Sequence, residues 1–100
     1  RIVLCASVAS GPAGCLPYTA GRLNNSSIDD IALWTAANAL IDSVIYGTSG
    51  AWPASRNGAS IELSESLLDS AGNDNAAVWC RAARAFGADL ATPGEANDCP

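Results

Sequence analysis

Histidine, lysine and methionine are missing altogether from this 100-residue chain, and its aromatics amount to three tryptophans, two tyrosines and one phenylalanine. Each absence removes some chemistry. Without histidine, lysine or a free thiol, acid–base and nucleophilic options contract to carboxylates, serines and tyrosines. Positive charge is scarce as well: five arginines stand among ten acids, for a net charge of −5. A nucleic-acid face needs clustered cations that displace counterions, whereas Arg1, Arg22, Arg56, Arg81 and Arg84 are scattered. Nucleic acid is therefore not an expected partner. No apolar run approaches the roughly 20 residues of a membrane-spanning helix, so no membrane span is expected. The chain opens on Arg1-Ile2-Val3-Leu4-Cys5 without a signal peptide. That start suggests a piece of a longer polypeptide.

Four cysteines are present: Cys5, Cys15, Cys80 and Cys99. An even count in a short chain favours disulfides and an oxidising, extracellular or cell-surface setting. Sequence leaves three pairings open, of which local closure favours Cys5–Cys15 and Cys80–Cys99. Each bridge contributes about 3 kcal/mol by restricting the unfolded chain. Zinc is disfavoured, because the spacing contains no C-x-x-C pair and no histidine is available. The length implies one domain, residues 1–100, with a modest core. Hydrophobic residues make up 49% of the chain, but alanine supplies much of that, so the cross-links matter.

The stretch from Trp52 to Trp79 organises the pattern. In Gly58-Ala59-Ser60-Ile61-Glu62-Leu63-Ser64, Ile61 and Leu63 alternate with Ser60, Glu62 and Ser64. The period of two predicts a strand with Ile61 and Leu63 buried and Glu62 on the wet face. Both flanking indoles are expected at the core's rim, where each N–H finds a partner. Upstream, residues 1–8 read as a strand and Gly11, Pro12 and Gly14 as a break. Leu16–Leu23 is a weaker strand, limited to an edge by Pro17, and Asn24–Ser27 forms a polar turn. Asp30–Trp34 and Leu40–Tyr46 form a hairpin reversed at Thr35–Asn38, although Ile28–Leu40 also admits helical phasing. Ser64 or Ser66 caps a short helical turn through Asp69. Val78–Ala83 is the last strand, and residues 87–100 form a coil returning Cys99 to Cys80. Five or six strands without a long helix specify an all-β fold, sandwich or barrel.

An ordered set of motifs carries a resemblance. Asp29-Asp30-Ile31-Ala32-Leu33-Trp34, Leu40-Ile41-Asp42-Ser43-Val44-Ile45-Tyr46, Trp52-Pro53, Gly58-Ala59-Ser60-Ile61-Glu62-Leu63, Asn73-Asp74, Trp79-Cys80 and Thr92-Pro93-Gly94-Glu95-Ala96-Asn97 together resemble the lamin-tail domain of bacterial extracellular proteins, over about residues 22–97. No single piece is specific; the order is. The resemblance implies an immunoglobulin-like β-sandwich and a non-catalytic module that binds or anchors within a larger secreted or surface protein. It also exposes a departure. Two strands that open such domains are absent ahead of Arg1–Cys5, so the chain matches the C-terminal two thirds of the domain. The expected partner is then a set of complementing N-terminal strands from another chain, or an oligomer mate.

Two other functions compete. A carboxylate hydrolase would use two of Asp42, Glu62, Glu65 and Asp69, but no active-site motif accompanies them, and Asp42 is read as a structural acid bonded to backbone N–H groups. A calcium-stabilised adhesion or surface-assembly domain would use Asp69, Asn73, Asp74 and Asn75, which are oxygen donors suited to that ion. Against it, the run lacks alternating acids and a distal bidentate glutamate, and a turn built on Asx hydrogen bonds accounts for it. No catalytic residue and no cofactor is expected.

Overall fold

The computed structural model describes residues 1–6, 9, 11–19, 23–24 and 26–99. Eight short strands run through it: β1 (Leu4–Cys5), β2 (Leu16–Pro17), β3 (Asp29–Trp34), β4 (Leu40–Tyr46), β5 (Ile61–Leu63), β6 (Trp79–Arg81), β7 (Ala85–Phe86) and β8 (Asp89–Leu90). They pair two by two into four small sheets. Among the described residues strands dominate and the helical content is three single turns of 3-10 helix, Glu65–Leu67, Gly72–Asp74 and Ala76–Val78. The fold is thus a small all-β one, and among the described residues no sandwich is closed.

Disulfides join Cys5 to Cys15 and Cys80 to Cys99. The first closes a loop beside the parallel pair β1–β2. These strands are shorter than the runs 1–8 and 16–23 suggest. Ser7 and Val8, Ala20 to Arg22, and Asn25 of the polar turn lie outside the described residues.

The expected hairpin is present as β3–β4, antiparallel, with Asp29 opposite Tyr46, Ile31 opposite Val44 and Leu33 opposite Asp42, and a bulge where Trp34 meets Leu40. Its reversal lies at Thr35–Asn38. Thr35 N–H donates to Ala39 O, Ala39 N–H donates to Thr35 Oγ1, and Asn38 takes the left-handed conformation at φ 59°, which asparagine tolerates well. Tertiary pairing and the turn chemistry prevail over helical phasing between Ile28 and Leu40.

Strands β5 and β6 pair through Ile61–Arg81, Glu62–Cys80 and Leu63–Trp79. The hairpin β7–β8, which falls largely in the stretch read as coil, extends this region: Ser60 N–H donates to Leu90 O and Leu90 N–H to Gly58 O. Gly58 is required there. Its φ is +72°, and a Cβ would sit 2.7 Å from Asp89 Oδ1.

Burial reverses one expectation outright. Glu62 is only 6% exposed, while Ile61 and Leu63 on the opposite face are half-buried. Among the described residues the apolar core is small: the buried hydrophobic ones are Cys5, Cys15 and Ala82. The period of β5 is as predicted, but the covered face is the polar one, because the C-terminal tail folds onto it.

Candidate functional site

Two constellations stand out, one buried and one open. The buried one surrounds Glu62. Thr92, also 6% exposed, donates its hydroxyl to Glu62 Oε1 at 2.5 Å, and Asp98 N–H donates to Oε2 at 3.1 Å. Asn97 reaches the same strand through its amide, which donates to Leu63 O at 2.8 Å, while its backbone N–H donates to Glu65 Oε1 at 2.7 Å. Arg1 also pairs with Glu65. The Asn97 N–H, followed by the Arg1 guanidinium, holds the Glu65 carboxyl below its usual range. Asp98 in turn accepts from Ala83 and Arg84 N–H at 3.1 and 2.7 Å. Burial pushes its carboxyl up, but these two N–H groups, side-chain hydrogen bonding with Glu62 and the Arg84 charge outweigh that and bring it down. Residues 92–99 are thereby fastened to β5 and β6 by hydrogen bonds and by the Cys80–Cys99 bridge.

The open constellation is a cleft of about 950 Å³ between the β3–β4 hairpin and the segment from Pro53 to Ile61. Ile31, Leu33 and Val44 floor it, and Pro53, Ile61 and Trp79 face them. Alternation in β3 and β4 places these apolar side chains on one face. Three aromatic rings lie in sequence near it: Tyr46 and Trp52 at 6.5 Å, edge to face, then Trp52 and Trp79 at 5.7 Å. Trp79 Nε1–H donates to Asn73 O at 2.8 Å, the partner expected for a rim indole. Tyr46 donates its hydroxyl to Asn24 O at 3.1 Å and lies 3.4 Å from Asp29 Oδ2. Desolvation, with the Asp29 charge next, raises the Tyr46 phenol above its ordinary range. The Asp29 carboxyl is lowered by the N–H groups of Asn24 and Asp30.

The sequence candidates are distributed among structural bonds. Asp42 lines the cleft and accepts the Asn73 amide at 2.6 Å, so its partner is a side chain and not the expected turn backbone. Of the four acids weighed for hydrolysis, only Asp42 is in the cleft; Glu62 and Glu65 hold the tail, and Asp69 Oδ1 accepts from Ala71 and Gly72 N–H. Asn75 Oδ1 accepts from Ala77 N–H at 3.1 Å. The oxygen-rich loop of Asp69, Asn73, Asp74 and Asn75 is accordingly built on Asx turns and on the Asp42–Asn73 bond. Among the described residues, no three His, Cys, Asp or Glu side chains gather in the manner of a metal site. Ser64 precedes the turn Glu65–Leu67 without a side-chain capping bond; its hydroxyl meets that of Ser66.

Sequence reasoning missed the role of Glu62, because the register that sets it opposite Cys80 is tertiary. Glu62 pairs with Cys80 across the two strands, and paired residues project to the same face. A bridge from Cys80 to the tail therefore brings the tail over Glu62.

Comparison with protein-family models, with curated proteins and with solved structures finds no match to this chain. Among the described residues, no helix is long and apolar enough to cross a membrane.

Proposed function

We propose that the chain is a non-catalytic extracellular module of lamin-tail type, immunoglobulin-like in plan, that binds or anchors through the cleft between β3–β4 and β5. The observation that carries this reading is the cleft itself: an open trough of about 950 Å³ with apolar floor and wall and a single acid, Asp42, already bonded to Asn73. Large apolar surfaces left facing water mark interaction sites. Two disulfides suit an oxidising, extracellular setting. The partner class is an extended strand with alternating apolar side chains, since a trough floored by a hairpin accepts a segment of the same period.

Trp79 lines the cleft and reports on its occupancy. Titration with a synthetic nine-residue peptide alternating valine and threonine should give a saturable change in tryptophan emission. Val44→Arg should abolish it while leaving the far-ultraviolet circular dichroism unchanged. A linear, unsaturable response, or saturation equally present in Val44→Arg, overturns the reading.

A further inference from the structure

The chain carries more surface than its mass warrants. Its accessible area is 6901 Å² for 10.1 kDa, whereas a compact monomer of that mass has about 5,300 Å². The surplus, about 1,600 Å², is twice the roughly 800 Å² that one partner contributes to a standard interface. Much exposed apolar surface lies on one hairpin: Ile31 and Leu33 are 49% and 56% exposed, Trp34 57%, Ile41 59% and Ile45 66%.

The hairpin also has an open edge. Among the described residues β3 pairs with β4 alone. The direction of its backbone groups follows from the bonds at its two ends. Thr35 N–H points inward to Ala39 O, and Asp30 N–H is turned instead to Asp29 Oδ1. In an antiparallel ladder such directions alternate. Asp29, Ile31 and Leu33 therefore bond to β4, and Ala32 and Trp34 direct their N–H and C=O groups away from it, as Asp30 does its C=O, its N–H being held by Asp29 Oδ1. An exposed edge of this kind is a template for another strand.

We propose that this edge pairs with its own counterpart in a second copy of the chain, antiparallel, about a two-fold axis through Ala32. The register is self-complementary. Ala32 N–H donates to the Ala32 carbonyl of the second copy, Ile31 of each copy meets Leu33 of the other, and Asp30 faces Trp34. Acids face no acids in this register, which matters for a chain of net charge −5, because like charges directly opposite oppose pairing. The product is a four-stranded sheet, β4–β3–β3–β4. If each copy gives up only half of its surplus, the contact reaches the standard size of about 1,600 Å². A foreign strand could meet the edge too, but the two-fold register needs nothing beyond β3 itself. This pairing is independent of what occupies the cleft.

Sedimentation equilibrium of the intact chain at micromolar concentration should give twice 10.1 kDa. Ala32→Pro removes the central N–H without touching the β3–β4 ladder, since proline is tolerated on a strand's free edge; it should weaken the dimer by about 100-fold. Should that variant misfold, Ala32→Cys gives a second measure. Residues in a hydrogen-bonded antiparallel pair have Cα atoms about 5.5 Å apart, within disulfide reach, so mild oxidation should yield a covalent dimer, while Ser43→Cys on β4 should not. A chain that stays monomeric up to about 100 μM, well above the micromolar Kd at the weak end for an interface of standard size, overturns the proposal. So does a monomer that pairs only when a foreign strand peptide is added. A dimer indifferent to Ala32→Pro and uncrosslinked through Ala32→Cys overturns the β3 site.

Discussion

Strands β3 and β4 pair over six positions yet leave Ile31, Leu33 and Ile45 exposed, whereas β5 and β6 pair over three and adjoin the buried Glu62, Ala82 and Thr92. The longer hairpin is the less protected one. Its ladder and its turn are local, made by residues 29–46 among themselves. The shorter pair is surrounded by distant chain: residues 92–99 cover one face, and β8 and Gly58 extend the other end. Ladder length thus says where backbone hydrogen bonds form, and the return of remote segments says where water is excluded. A region of the first kind is suited to recognition and one of the second kind to anchoring, since loosely covered elements open at low cost.

The largest effect should come from the anchor. Replacing Cys80 and Cys99 together by alanine frees the tail and is expected to cost about 3 kcal/mol in chain entropy alone, read as a lower urea midpoint. No single substitution in β3–β4 should match it. Next, Glu62→Ala orphans the Asp98 N–H and leaves the buried Thr92 hydroxyl only its longer bond to Asn97 Oδ1 at 3.3 Å, and should cost about 2 kcal/mol. Leu33→Ala, at a half-exposed position, should cost under about 1 kcal/mol. Equal losses at Glu62 and Leu33 would break the contrast between the two strand pairs. Trp79→Phe keeps a ring in the cleft and loses the indole bond to Asn73 O, for about 1 kcal/mol; a loss several times greater would mean that Trp79 belongs to the anchor.

The smallest effect is a pH dependence. Asp29, Glu65 and Asp98 are held below their ordinary values in the folded chain, so the folded state binds fewer protons than the unfolded one. Their contribution is present above the unfolded carboxyl range, about pH 4, and is lost as pH falls through the folded values. The melting temperature should decline on acidification below about pH 4. Glu65→Gln combined with Asp98→Asn, both in the tail fastening, should flatten that decline more than Asp29→Asn in the open hairpin. An unchanged acid limb in the double variant would count against the tail's electrostatic fastening.

Much of the hairpin β3–β4 was legible because its signals are local: alternation at Ile31 and Leu33, and Thr35 to Asn38 as a reversal. The nearer cysteine pairings were legible for the same reason, short loops close readily. Strand β5 was legible in period and not in side. Alternation says that one face differs from the other; it does not say which segment will lie against which. Glu62 reads as solvated beside Ser60 and Ser64, yet the acceptors Glu62 and Glu65 meet donors from Thr92, Asn97 and Asp98, some thirty positions away. The cleft was illegible altogether, since Ile31, Val44, Pro53 and Trp79 come together only through the relative placement of two sheets. The hairpin β7–β8 escaped because Gly87 and Pro93 mark turns without marking what they connect.

What the sequence determines by itself is the class of the molecule: strands over helices, cross-links over a large core, carboxylates and hydroxyls as the available chemistry, and the turns that divide the elements. These follow from residue type and near-neighbour spacing, which act over a few bonds. What only the tertiary structure decides is the assignment of inside and outside, with Glu62 enclosed and Ile31 and Leu33 left in the open. That choice depends on free energies summed over contacts between remote segments, in which a buried carboxylate with well-placed donors is retained and an apolar face without a cover stays wet.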